Sequence, residues 1–510
     1  MKCPHVVLRL ALLVFPLVLG ACVTPAITPS HQPDQWQRIQ TQHFELATDL
    51  APEAAKRAAI SLERNRAAIL AAAWGKGSDA RITSPAAVVV LADRLQFYHY
   101  GERQFVGLYS SSPRPTIFLA GAPEVWEAGT AADDSTTSVL RHELVHQIAG
   151  GIYGRQPRWF AEGLAQFLET IVISEDGTTA IMGRLNLVAL RKYKTQRNAS
   201  VRDALGWKSD SDQDPATLHS LYGLSWLLVH WLYNTQSADF AAYQVKLAKG
   251  VDPAVAWNAS FPTLLGKDLD RELQQYAKFG KFVDVPVALQ AVSTEQIFKP
   301  ITEADIGGIL AQLAWSSSRI RGSADLKQEA RKEIDRALTL EPGSTLALRL
   351  LRIEQNVPAS DAVARLRQQV ARRADDGEAW LLLGELLGDA EVGEQEQALR
   401  RAVALLPRSA RAYNALAWML LGTKRAEAAL PLATKAALLA PWDAAVLDTY
   451  AAALFAVGRC PDALEMQKRA VDLVPESTDR EGMLPYTTHV MEYDKVCGTS
   501  ARAGTAPRDP

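Results

Sequence analysis

His142 and His146, with Glu143 between them, are the residues of this chain whose types and spacing best suit chemistry. Residues four apart on an α-helix project from one face, a turn apart. A helical Ser138–Gln147 segment therefore offers both imidazoles to a single tetrahedral Zn²⁺. Glu143 lies on the flank of that face, where a carboxylate can accept a proton from an activated water without being a ligand. A hydrolytic zinc site needs a third protein ligand and one position left open. Sixteen residues past His146, Glu162 stands within Trp159-Phe160-Ala161-Glu162-Gly163-Leu164-Ala165, and it supplies that ligand if its helix folds back on the first.

Several features position these groups. Val139, Leu140, Leu144, Val145 and Ile148 crowd the histidines, as expected of a helix inside a domain rather than on its surface. Burying two histidines and two glutamates together is costly without a cation. Gly150, Gly151, Gly154 and Pro157 interrupt the helical pattern and permit the reversal. Asp133-Asp134-Ser135-Thr136-Thr137 offers N-caps for the first helix, with orientation of a ligating histidine by one aspartate as the alternative.

His142-Glu143-Leu144-Val145-His146 followed by the block Trp159 to Glu169 resembles the gluzincin metallopeptidases. The connection to Glu162 is shorter than in aminopeptidase-N-type enzymes, which favours the compact bacterial peptidase-MA-like branch. The resemblance implies His142, His146 and Glu162 as zinc ligands and Glu143 as general base and acid. It also implies that Tyr222, in the apolar segment His219–Leu232, stabilises an oxyanion. His219 is a rival donor for that role, and an ordinary core tyrosine is the other reading. Trp226 and Trp231 read as core. Upstream, Trp36–Thr48 alternates as a hairpin, Pro52–Ala73 has helical spacing, and Ala86–Leu91 and Thr116–Ala120 read as strands. This order is similar to the small gluzincin sheet, whose edge strand holds an extended peptide by its main chain. A hairpin is expected over Ile171–Gly183, turning at Glu175-Asp176-Gly177.

Lys2 and Arg9 precede the apolar run Ala11–Leu19, which is too short to cross a bilayer and reads as a signal peptide over residues 1–21. Leu19-Gly20-Ala21-Cys22 is similar to the lipobox of bacterial lipoproteins, which implies lipidation of Cys22. With Val23 after it, the sorting rule for such proteins places the chain on the outer membrane, facing the periplasm. Residues 22–35 read as a Pro-rich tether. Cys460 and Cys497 then remain in an oxidising compartment, and a disulfide between them is expected, with free thiols as the alternative. A formal net charge of −2 argues against a general nucleic-acid binder.

Pro407, Pro441 and Pro475 recur every 34 residues, and Ala429, Ala436, Ala463 and Ala470 hold equivalent positions before two of them. Small residues let paired helices approach, and the prolines end the second helix of each pair. The pattern resembles tetratricopeptide repeats, which implies a protein-binding solenoid. Leu346–Val370 reads as a degenerate unit. The expected fold is α+β: a gluzincin-type metallopeptidase domain over 36–295, an all-α tetratricopeptide-like solenoid over 304–476, and a tail over 477–510 that is disordered from Thr499. The expected function is a lipid-anchored zinc metallopeptidase acting on a peptide or protein, with a protein partner on the repeats. Two other classes stay open: a non-catalytic scaffold, and a hydrolase of some other bond.

Overall fold

The computed structural model describes residues 29–75, 85–100, 107–110, 116–126, 138–153, 156–195, 198–208, 213–355, 359–388, 391–441, 443–474 and 480–503. The expected signal segment, Cys22 and the start of the expected tether lie outside these residues. Strands β1 (Gln37–Gln40) and β2 (Phe44–Thr48) form the hairpin that alternation predicts. Helix α1 (Pro52–Ala73) has the bounds its spacing predicts, with proline in the first turn, where a missing N–H costs nothing. It returns the chain to β3 (Ala86–Leu91), parallel to β2. After α2 (Arg94–Tyr100) come β4 (Gly107–Ser110) and β5 (Thr116–Ala120). β3 and β5 are almost wholly buried and correspondingly rich in apolar residues, as strands covered on both faces must be.

The chain then runs through α3 (Pro123–Trp126), α4 (Val139–Ile152) and α5 (Arg158–Leu168). Strands β6 (Val172–Ile173) and β7 (Thr179–Met182) make the expected second hairpin. Helices α6 (Leu187–Thr195), α7 (Val201–Leu205), α8 (Pro215–Thr235), α9 (Ser237–Ala248), α10 (Pro253–Ser260) and α11 (Leu269–Phe279) follow. Strand β8 (Val285–Ala288) adds to β7, and β9 (Ile297–Lys299) pairs with β1. The larger sheet has the order β4-β5-β3-β2-β1-β9 among the described residues.

Among the described residues, eleven helices complete the chain: α12 (Glu303–Arg321), α13 (Ala324–Leu340), α14 (Thr345–Gln355), α15 (Ala359–Arg372), α16 (Gly377–Leu386), α17 (Val392–Leu405), α18 (Ala410–Gly422), α19 (Ala426–Leu439), α20 (Ala444–Ala456), α21 (Cys460–Leu473) and α22 (Arg480–Ala503). Successive helices pack on one another, most closely α12 with α13, α16 with α17, α18 with α19 and α20 with α21, and Ala429, Ala436, Ala463 and Ala470 are fully buried. Cys460 and Cys497 are joined, sulfur to sulfur, at 2.17 Å, and the bond ties α22 to α21.

Three expected boundaries move. The sheet takes its last strand from Ile297–Lys299, beyond the limit of 295, because β1 offers an open edge there. The end of the expected tether is folded: Trp36 is buried, its indole N–H donates to the Ser30 carbonyl (2.8 Å), and His31 pairs with Glu333 (2.8 Å). The expected tail is helix α22, whose Tyr493 is buried against Leu454 and Ala463, so helix replaces disorder as far as Ala503.

The sheet explains why the halves do not separate. One face (Ile39, Phe44, Leu46, Val88, Val90, Ile117, Leu119) packs with α1, α4, α5 and α8. The other (Trp36, Ala47, Val89, Leu91, Phe118, Ala120) packs with Ile306, Leu310, Leu313 and Ala314 of α12. The first helical pair is thus a layer of the sheet, and a polar seam borders it: Glu329 accepts from Tyr100 (2.9 Å) and meets His99 Nε2 at 2.6 Å. Among the described residues, no helix is long and apolar enough to cross a membrane.

Because the sheet is shared, Phe118→Ala is expected to cost about 3–5 kcal/mol and to melt sheet and first repeats in one transition, measured by denaturant unfolding. At the seam, the hydrogen bond to Glu329 raises the His99 pKa; burial pushes Glu329 up, but its bonds to His99 and Tyr100 win and lower it. The His99 contribution is full below about pH 6.5 and fades as pH rises through its raised value. That of Glu329 is full above about pH 4.3 and fades as pH falls through its lowered value. His99→Gln should therefore flatten the decline in melting temperature on the alkaline side of that window.

Candidate metal centre

Helix α4 begins at Ser138, whose hydroxyl oxygen accepts from the Arg141 amide (3.3 Å) and whose hydroxyl donates to the Trp126 carbonyl. Ser138 is thus the cap; the expected cap residues Asp133–Thr137 lie outside the described residues. The helix runs on through Gly150 and Gly151 to Ile152, so those glycines do not break it. The helix is capped by Tyr153, Gly154 lies outside the described residues, and α5 starts behind Pro157.

Two glycines set the depth of the site. A Cβ on Gly163 would stand 2.4 Å from the Ser225 carbonyl oxygen, so only glycine lets α5 lie this close to α8. A Cβ on Gly107 would stand 2.5 Å from Val139 Cγ1 and 3.5 Å from Glu143 Cγ. That close approach makes β4 the sheet edge that flanks α4. The sequence gives no strand pattern over its four residues.

The three expected ligands converge. His142 Nε2 and His146 Nε2 are 3.1 Å apart. Glu162 Oε2 is 3.6 Å from His142 Nε2, and Glu162 Oε1 is 3.6 Å from His146 Nε2. Donors bonded at about 2.0–2.2 Å around a tetrahedral ion lie about 3.3–3.6 Å apart, so this triangle fits zinc. Glu162 is 2 % exposed, a depth at which an anion needs a cation. Among the described residues this is the one cluster of its kind. Glu143 is half-buried on the β4 side of α4.

Glu169, to which the sequence assigns no role, fixes one ligand. Its Oε2 lies 2.6 Å from His142 Nδ1, its Oε1 accepts from Asn186 Nδ2 (2.9 Å), and its carbonyl accepts from the Ser138 amide and from Arg141 Nε (both 3.1 Å). A carboxylate only accepts, so it holds the proton on Nδ1 and turns the Nε2 lone pair into the cluster. Its place seven residues past Glu162, on the same helical face, is the one signal that would have suggested it.

Electrostatics bind the group together without an ion. Burial opposes charge on His142, but the carboxylates of Glu162 and Glu169 hold its pKa well above the usual value. Burial also works against ionised Glu162, yet His146 and His142 keep its pKa well below the carboxylate range. A divalent cation would take the place of the shared proton.

Tyr222 is linked to Glu162 through Arg158. Its hydroxyl accepts from Arg158 Nη2 (3.4 Å), and Arg158 Nη1 meets Glu162 Oε1 at 3.1 Å. The guanidinium carbon lies 5.5 Å from the Trp207 ring, which meets Tyr222 edge-on at 5.3 Å. His219 is exposed, one turn before Tyr222 on α8. Arg158, four residues before Glu162, was not singled out from the sequence.

Residues 136–252 match a family model described as Protein of unknown function (DUF1570). The match spans α4, α5 and α8, and with them His142, Glu143, His146, Arg158, Glu162, Glu169 and Tyr222, while Gly107 and Trp126 lie before it. No curated protein matches the chain. Among solved structures, a thermophilic TPR protein of Thermus thermophilus aligns at 17% identity with a TM-score of 0.29, covering 37% of this chain and 99% of its own. The MamA protein of Desulfovibrio magneticus aligns at 21% identity with a TM-score of 0.24, covering 31% and 95%. Likenesses this remote carry no functional argument.

Glu169→Ala should weaken zinc affinity by about 10–100-fold while leaving the fold intact, measured by competition with a coloured chelator.

Proposed function

We propose that this chain is a zinc-dependent hydrolase of peptide bonds. The observation that carries the reading is the triangle of His142 Nε2, His146 Nε2 and the Glu162 carboxylate, 3.1–3.6 Å on a side, with Glu143 on the same helix beside it. Zinc held there would supply Lewis acidity, polarising a carbonyl and bringing the pKa of a water toward neutrality. Glu143 accepts the proton of the attacking water and returns it to the leaving amine nitrogen. Glu169 and Asn186 keep His142 in the tautomer the ligand role requires. The outer edge of β4 pairs with the main chain of an extended peptide, which places its carbonyl over α4. Tyr222 stabilises the developing oxyanion, worth on the order of 3 kcal/mol for one good donor, once substrate draws it from Arg158.

The amino-terminal segment supports lipid anchoring at Cys22 in a bacterial envelope, on the outer membrane facing the periplasm. The Cys460–Cys497 bond agrees with such an oxidising compartment. The stacked helices from α13 to α22 support a protein-binding role for the solenoid. One feature favours a second reading, a scaffold without catalysis: Arg158 pairs with Glu162 and shares in offsetting its buried charge.

Glu143→Gln separates the two. The expected outcome is full zinc stoichiometry with casein or peptide cleavage reduced by about 10²–10⁴-fold. Undiminished cleavage would remove Glu143 from the reaction, and a mutant that supports normal growth and envelope composition would favour the scaffold.

A further inference from the structure

Arg158 is the charged group of the centre for which hydrolysis itself has no task. It sits one turn before Glu162 on α5, with its guanidinium held from three sides. Nη1 is 3.1 Å from Glu162 Oε1, Nη2 is 3.4 Å from the Tyr222 hydroxyl, and the carbon lies 5.5 Å from the Trp207 ring. These contacts come from different parts of the fold, so the guanidinium has little freedom to follow a ligand away.

The two oxygens of Glu162 are consequently unlike. Oε2 faces His142 Nε2 at 3.6 Å. Oε1 lies 3.6 Å from His146 Nε2, but it also carries the bond to Arg158. A carboxylate beside a divalent cation can bind through one oxygen or through both. Binding through both would fill the position that a hydrolytic centre keeps open. A charge-assisted bond to a guanidinium engages one oxygen and draws charge from it, leaving the other as the better donor. Lysine, a point charge on a flexible stem, would hold Oε1 without the fixed fork that also reaches Tyr222.

We infer that Arg158 is a positioning residue that restricts Glu162 to one-oxygen coordination and so keeps one position of the centre open to substrate. The inference rests on the metal reading of the cluster. It makes Arg158 a determinant of coordination number rather than of metal affinity.

Cobalt(II) reads coordination number directly, because its visible bands are intense in four-coordinate sites and weaken several-fold as ligands are added. The full chain would be stripped with chelator, loaded with one equivalent of Co²⁺, and compared with Arg158→Met, Arg158→Gln and Arg158→Lys. Expected are intense bands for wild type and the lysine variant, and bands several-fold weaker per bound cobalt for the methionine and glutamine variants. The glutamine variant answers the question should the methionine variant not fold, as judged by circular dichroism. Equal band intensity in wild type and in the folded neutral variants would overturn the inference while leaving the metal centre standing. Wild-type protein that takes up no cobalt would overturn the centre itself, and the inference with it.

Discussion

A buried carboxylate brought from one helix to two imidazoles of another is the constraint on which the rest of the structure turns. Glu162 is 2 % exposed, and His146 and His142 hold its pKa well below the carboxylate range. An anion at that depth must be compensated, and His142, His146 and Arg158 are arranged to do it. The two glycines follow from the same requirement. Gly163 lets α5 press against α8 until its next-door carboxylate reaches α4, and Gly107 lets the sheet edge come up beside Glu143. The centre is a place where three layers meet, and its geometry is as rigid as their packing.

The sheet carries that rigidity into the helical repeats. Its inner face backs α4 and α5, and its outer face is covered by α12. Any partner that bends the first repeats therefore works against the same strands that support α4. Hydrogen bonds at the seam, from His99 and Tyr100 to Glu329 and from His31 to Glu333, register the two halves without adding to either core.

Much of this was legible beforehand, for identifiable reasons. The helix Pro52–Ala73 has both an unbroken apolar period and a proline at its start, so its bounds are local properties. The meeting of His142, His146 and Glu162 was legible because a four-residue histidine spacing has few other uses. Strands β4, β8 and β9 were not legible, since three or four residues carry no alternation and owe their form to a neighbour's open edge. Helix α12 looks like any repeat helix from its composition; that it covers a sheet depends on contacts far apart in the chain. Glu169 and Arg158 were missed for a related reason: each acts on a ligand through tertiary geometry, and carboxylates and arginines at helical spacings are common on solvated faces.

The most direct measurement is an anomalous difference map recorded on either side of the zinc absorption edge, from crystals of the full chain grown with zinc. The expected result is one strong peak about 2.0–2.2 Å from His142 Nε2, His146 Nε2 and an oxygen of Glu162. A map with no peak there, from crystals in which the three side chains are ordered, would contradict it.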